Sequence, residues 1–280
     1  ELLEFSLPSG LVVFVSTLNR SIGGMYVVEA LGDAALALLV VGGYLAGIVA
    51  PLRNSISDVL LPSLAAQARQ GGTAWVPAWR RSSVQVAMLL FPVAVLSWRF
   101  AEFLISAAFS ARYATAAPLL QWYAGVVALA CIDVALALRV MGRTRSMLGV
   151  SVVTLAVNLG LLAVLVPRFG LQGAAAALLA STASGTAYLL WQATRALSLP
   201  MRQFVPIAGL ARVAFAALLA ASVLVPWFRA EQWGFAGVVT LVLVYLVAYG
   251  VLLRLLGLSE AIELQSWIRE RIEVLLRLRA

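Results

Sequence analysis

Two arginines stand where an arginine is expensive. Arg20, beside Asn19, lies 13 residues into the apolar run that begins at Leu7; Arg53 heads the polar group Arg53, Asn54, Ser57 and Asp58. A cation inside a spanning helix costs roughly 2.5–3.5 kcal/mol on insertion scales, so each should face something polar. A guanidinium keeps its charge and donates paired hydrogen bonds that suit a pyrophosphate or a carboxylate. The chemistry within reach is therefore the holding of an anion at two depths in a hydrophilic cavity. At a rise of about 1.5 Å per residue, Arg20 sits roughly 20 Å past Leu7 and Arg53 roughly 27 Å past Ala35. Asn19 and Asn54 are the neighbouring amides that would add hydrogen bonds. Arg53 with Ser57, and Asn54 with Asp58, are four residues apart and share one side of a helix.

Bland alternatives stand beside each of these. Arg20 could pair with a carboxylate on another helix, and Arg53 could snorkel to the interface. Asp133, in a later apolar run, is either a protonation site for ion coupling or a partner for Arg139 or Arg53. Asn158 suits a hydrogen bond between two helices. Asp58 suits the interface.

The composition removes most other chemistry. All 20 basic residues are arginine, with no lysine and no histidine, and there is one cysteine, Cys131. Lysine nucleophiles, histidine metal sites and Ser-His-Asp triads are thereby excluded. So is an intramolecular disulfide. No carboxylate pair or nucleophile with a base occurs at workable spacing, so neither catalysis nor a cofactor or metal is expected. A net charge of +8 is dispersed between apolar runs, which fits topology-setting loops rather than nucleic acid.

The elements that must position these groups are membrane spans. The 280 residues are 63% hydrophobic and 11% charged, with a mean hydropathy of +0.99; globular chains carry about 25% charge. The fold class is an all-α polytopic membrane bundle. Eight spans are expected: Leu7–Val28, Ala35–Leu61, Val84–Leu104, Ala116–Leu138, Met147–Val166, Gly173–Ala193, Ile207–Trp227 and Phe235–Leu256. The second carries Gly42, Gly43, Gly47 and Pro51. Because Pro51 lacks the N–H that would bond the Gly47 carbonyl, a hinge at Gly47 and Pro51 is expected. On the sixth span, Gly173 to Ala177, Ala180, Ser181, Ser184 and Gly185 make a small-residue face for close packing. Ser259–Ala280 reads as an amphipathic surface helix, capped by Ser259, with Leu264, Ile268 and Ile272 on one side.

Arginine placement sets the orientation. With the first span entering from the cytoplasm, cytoplasmic segments hold 14 arginines and outer segments 4, a positive-inside asymmetry that places both chain ends in the cytoplasm. Trp98, Trp122, Trp227 and Trp233 fall near outer ends, and Trp75 and Trp79 near an inner one, as aromatic belts would. The chain starts at Glu1 and enters its first span almost at once, so it reads as the carboxyl-terminal part of a longer protein.

Several stretches, in order, resemble the oligosaccharide and polysaccharide flippases of the multidrug/oligosaccharidyl-lipid/polysaccharide exporter superfamily. Leu2-Leu3-Glu4-Phe5-Ser6-Leu7-Pro8 resembles the lead-in to that family's seventh helix. Leu18-Asn19-Arg20 stands where many members have an Ile-Asp-Arg-like step. Leu60-Leu61-Pro62-Ser63-Leu64 resembles the close of the next helix, and the stretch from Phe109 to Ala116 the outer loop Phe-Gly-x-x-Tyr-x-x-Ala. Asn158 followed by Val166-Pro167-Arg168-Phe169-Gly170-Leu171-Gln172-Gly173-Ala174-Ala175 is similar to the family's Asn…Ile-Pro-x-x-Gly-x-x-Gly-Ala-Ala. Two positions depart: Asn19 replaces the usual acid, and Ser110 replaces a glycine, a change expected to be harmless.

The resemblance implies helices seven to fourteen of a V-shaped, alternating-access transporter. Residues 1–195 would be its second six-helix lobe, 196–258 two added spans and 259–280 the surface helix. It implies a polyprenyl-pyrophosphate-linked saccharide as cargo, moved across the bacterial inner membrane, with Arg20, Arg53, Asn19 and Asn54 meeting the anionic headgroup or sugars. Glycosyltransferases and a polymerase of the same pathway would be its partners. A lipid II flippase and a multidrug exporter are the neighbouring readings; a non-transporting scaffold is the one from another class, and it requires both arginines buried against satisfied partners.

Overall fold

The computed structural model describes residues 2–224 and 235–258. A few side chains inside these segments, that of Arg20 among them, fall outside the description. The amphipathic helix expected over 259–280 also lies outside the described residues. Among the described residues the chain is helical, with no strand. In order come α1 (Leu2–Leu31), α2 (Asp33–Arg69), α3 (Val76–Arg99), α4 (Ala101–Ala108), a 3-10 turn (Ala111–Ala116), α5 (Ala117–Leu129) and α6 (Val134–Val140). Then follow α7 (Thr144–Leu197), α8 (Met201–Phe204), α9 (Ile207–Leu224) and α10 (Phe235–Leu255). In hydrocarbon every backbone N–H must find its partner within its own segment, which leaves these apolar runs only the helix.

Five helical stretches are long and apolar enough to cross a membrane: Gly10–Leu31, Asp33–Arg69, Val76–Arg99, Ala111–Val140 and Ser146–Leu197; two shorter apolar helices, Ile207–Val223 and Val239–Leu255, follow. The protein is a multi-pass membrane protein. The stretch ending at Leu197 is two spans rather than one. A straight helix of α7's 54 residues would run about 80 Å, yet Ser181 Oγ reaches Asn158 Oδ1 at 3.5 Å. The chain doubles back at Gly170 (φ 56, ψ −134), a conformation that a side chain would oppose. The two arms are antiparallel and very close. A Cβ on Gly185 would lie 2.5 Å from Thr154 Oγ1, and one on Gly173 would strike the Leu165 carbonyl. The small-residue face expected on the sixth span is what lets the arms meet.

Two expected elements differ. The fourth span, read as continuous from Ala116 to Leu138, is interrupted between Leu129 and Val134. Asp133 causes the restart: its Oδ1 accepts from the Leu136 N–H at 3.0 Å and caps α6. A carboxylate competes well for free N–H groups at a helix start, which a hydropathy window cannot register. The third span begins earlier than Val84, at Val76, with Pro77 in the first turn, where its missing N–H costs nothing.

That earlier start also moves two tryptophans. Trp75 and Trp79 are 1% and 0% exposed, so they are core residues and not an aromatic belt. Trp79 stacks on Phe204 with ring centroids 4.4 Å apart and donates Nε1–H to the Asp133 carbonyl at 3.0 Å. Trp98, by contrast, is 53% exposed and Trp122 39%, as interfacial residues would be.

Helix α2 holds the position of Arg53. It runs through Pro51 and Pro62 as one helix. Its upper half sits against α5 with nothing between them: a Cβ on Gly42 would lie 2.6 Å from Leu119 Cβ, and one on Gly43 2.9 Å from the Tyr123 ring. Gly47, one turn before Pro51, has open space. Its lower half, from Leu60, packs with Trp75, Trp79, Leu138 and Phe204 in one apolar cluster. A second cluster joins α3, α5, α9 and α10 around Ala87, Val127, Ala216 and Tyr245.

Candidate functional site

Between these two regions α2 borders a mostly apolar space with four polar groups on its wall, Arg53, Asp133, Thr182 and Thr186. A cavity of about 170 Å³ is lined by Ala46, Val49, Ala50 and Arg53 of α2, by the end of α5, by the interruption carrying Asp133, and by Thr182 and Thr186 of α7's second arm. Small residues on α2 make the room, and the broken fourth span supplies one wall.

Arg53 is half-buried. Its Nη2 donates to Asn54 Oδ1 at 3.0 Å, while its Nε is buried and has no hydrogen-bond partner. Buried N–H groups are almost always matched, so an orphan of this kind marks a place for an acceptor such as water or an anion. Thr182 Oγ1 donates to the Leu178 carbonyl at 2.7 Å and Thr186 Oγ1 to the Thr182 carbonyl at 2.9 Å. Each hydroxyl proton is thus taken by its own helix, which leaves lone pairs for whatever enters.

Asp133 is tied on both oxygens. Oδ1 accepts from Leu136 N, and Oδ2 accepts from Ser57 Oγ on α2. Ser57 Oγ also lies 3.0 Å from the Arg53 carbonyl. At the next residue of α2, Asp58 Oδ1 accepts from Arg139 Nη2 at 2.8 Å. Arg139 therefore answers Asp58, not Asp133, and Arg53 shares Asp133's cavity while donating to Asn54. The polar side of α2 faces α6 through Ser57 and Asp58; Asn54 is exposed.

The second polar cluster is separate. Asn158 Nδ2 donates to Asn19 Oδ1 at 2.9 Å, and Ser181 Oγ completes the chain on Asn158 Oδ1. Asn158 is 3% exposed and Ser181 0%. The cluster joins α1 to both arms of α7, which is the bridging role expected of Asn158. Asn19 thus spends its carbonyl oxygen on a helix contact. Arg20 follows it in α1, and its side chain lies outside the described residues.

Three participants escaped the sequence reading: Ser57 as Asp133's partner, Trp79 as the donor that fixes the interruption, and the Thr182/Thr186 pair. The threonines were legible in principle, being hydroxyls four residues apart in an apolar span. The other two depend on contacts between residues 76 and 54 positions apart.

The described residues thus form a multi-pass helical bundle with an interrupted span, a proline-bearing helix and a small cavity carrying Arg53 and Asp133. Residues 1–118, which include Arg20 and Arg53, match the family described as "Polysaccharide biosynthesis protein". The fold matches the solved structure "Lipid II flippase MurJ, inward closed conformation" with a TM-score of 0.72 at 17% identity, over 90% of this chain and 54% of that one. This chain therefore spans about half the length of that protein. No curated protein matches it in sequence. The family match thus covers the amino-terminal 118 residues, and the likeness in fold nearly the whole chain.

Proposed function

We propose that this chain is the carboxyl-terminal part of a flippase that moves polyprenyl-pyrophosphate-linked saccharide across the bacterial inner membrane by alternating access. Residues 1–195 serve as its second lobe, and 196–258 as two further spans. The observation that carries the reading is the orphaned Nε of Arg53, buried beside a cavity with no acceptor of its own. A carrier leaves it for the cargo's pyrophosphate, with Arg20 meeting the same headgroup at another depth. Pro51 and Gly47 form the hinge that lets the lower half of α2 move with its arginine. Pathway glycosyltransferases and a polymerase would supply and take up the saccharide. A lipid II carrier is the second reading, favoured by the fold likeness; both cargoes present a lipid pyrophosphate.

In cells carrying the full-length protein, Arg53→Ala should abolish surface polysaccharide without lowering the amount of protein in the membrane. Normal polysaccharide would sink the anion-site reading. Both ends of this chain face the cytoplasm in this scheme. Cysteines introduced at Glu29 and Arg143 in a Cys131→Ala background should accordingly label from opposite sides, and same-side labelling would overturn it.

A further inference from the structure

We infer that the cleft between α3, α5, the second arm of α7 and α9 holds one hydrocarbon chain of a bilayer glycerophospholipid, with an ester carbonyl at its polar rim. The cleft measures about 640 Å³ and shares no lining residue with the cavity of Arg53. Small residues open it: Ala94 on α3, Ala124, Gly125 and Ala128 on α5, and Ala214 on α9. Its rim is Trp98, Gln121, Trp122 and Gln172. Trp98 lies at the close of α3, Gln121 near the start of α5, and Gln172 just past the Gly170 turn, so all four stand at one end of the bundle. From that rim the walls run two turns inward, to Phe91, Ala128 and Leu179, a depth of about 10 Å.

What fills the cleft follows from where it opens. Trp98, Trp122 and Leu218 line it and are exposed, so it is continuous with the surface that meets the bilayer. Water needs two to four polar partners to settle in a cavity, and the inner walls, from Phe91 to Leu218, are apolar. An empty void would forfeit dispersion contacts along every wall. A lipid chain restores them. The rim then selects the lipid. It offers neutral amides and indoles, and among the described residues the lining carries no charge. Such donors suit the ester carbonyl of a glycerolipid and do not balance a pyrophosphate, whose polyprenyl chain has no carbonyl at all. Arg99 follows Trp98 at the exposed end of α3, where the phosphodiester of the same glycerolipid would stand. The site needs only a bilayer around it, whatever the cargo.

Two of the walls are pinned from behind, which keeps the cleft from closing. Pro92, inside α3, has no N–H, so the Met88 carbonyl loses its partner in the helix. Tyr249 of α10 donates its hydroxyl to that carbonyl at 3.1 Å. Tyr245, stacked on Tyr249 with ring centroids 6.2 Å apart, donates to the Ala217 carbonyl of α9 at 3.2 Å. Both tyrosines are buried. Helix α10 thus fixes α3 a turn below Phe91, and α9 beside Leu218, without lining the cleft itself. At the mouth, Gln121 Nε2 donates to the Trp98 carbonyl at 3.3 Å and ties α5 to the end of α3.

Photolabelling of the purified full-length protein in detergent, with phosphatidylglycerol bearing a diazirine on one acyl chain, tests the site. Label should fall on residues 91–98 and 214–218, and Ala214→Phe, which fills the cleft, should cut it several-fold. Label confined to other stretches, or undiminished in a folded Ala214→Phe protein, would overturn the site. If that variant does not fold, the exposed Gln172 decides. Unlabelled phosphatidylglycerol should compete roughly two- to tenfold better than its dialkyl ether, and Gln172→Leu should shrink that preference. A preference absent from the wild type, or unchanged in Gln172→Leu, would overturn the carbonyl at the rim. Competition by a polyprenyl phosphate but not by phosphatidylglycerol would overturn the choice of lipid. Tyr249→Phe should weaken the labelling, and Pro92→Ala in the same chain should restore it, because the alanine's own N–H then meets the Met88 carbonyl. Labelling unchanged by Tyr249→Phe would overturn the pinning.

Discussion

Asn158 on the first arm of α7 donates its amide to Asn19 on α1 at 2.9 Å, at a step where the flippase pattern carries an acid. Two neutral amides can satisfy each other without a counter-ion. This chain therefore holds α1 to the hairpin by a hydrogen bond in place of a charge, and Arg20 has no adjoining carboxylate of the kind the pattern would give it. Hydrogen bonds between membrane helices contribute about 0.6 kcal/mol on average, with a maximum near 1.7.

A double-mutant cycle measures that bond. Asn19→Val and Asn158→Val should each lower the stability of the protein in detergent. Their coupling should be about 0.6 kcal/mol, read from thermal or denaturant unfolding. Strictly additive effects would mean the amides do not meet.

Ser110 is not a harmless replacement for glycine. Its backbone sits at φ 142, ψ 163, a region that is nearly glycine's alone and costs about 1–3 kcal/mol for other residues. Ser110→Gly should stabilise the protein by an amount within that range, read as a raised unfolding midpoint. An unchanged or lowered midpoint would contradict the strain.

The hairpin of α7 depends on the glycine opposite Thr154. Gly185→Val should disrupt the contact between the arms and cut the yield of folded protein. Thr154→Ala combined with Gly185→Ala should recover most of it, because the added methyl then enters the space of the lost hydroxyl. Size-exclusion profiles of the detergent-solubilised variants would report both. An undisturbed Gly185→Val profile would refute the close approach.

How much of this was legible beforehand follows from the range of each interaction. The hairpin was readable because two apolar runs flank Val166 to Gly170, and only a glycine takes the turn cheaply. The interruption at Asp133 was not, since one carboxylate among more than twenty mostly apolar residues hardly changes a hydropathy average. Its effect is exerted on the N–H of Leu136. Trp75 and Trp79 looked interfacial by position along the chain and proved buried, because α3 starts a full two turns earlier than hydropathy implied and carries them under Phe204 and Leu138. Arg53 was visible as a costly charge, but the cavity beside it depends on Ala46, Val49 and Ala50, whose smallness has meaning only once α5 and α7 are in place.

Binding of a polyprenyl pyrophosphate to the purified full-length protein, wild type against Arg53→Ala, bears most directly on the site. A hydrogen bond to a charged group contributes about 1.5–3 kcal/mol, so the variant should bind roughly ten- to a hundredfold more weakly at equal fold and salt. Equal affinity in the two proteins would contradict an anion held at Arg53.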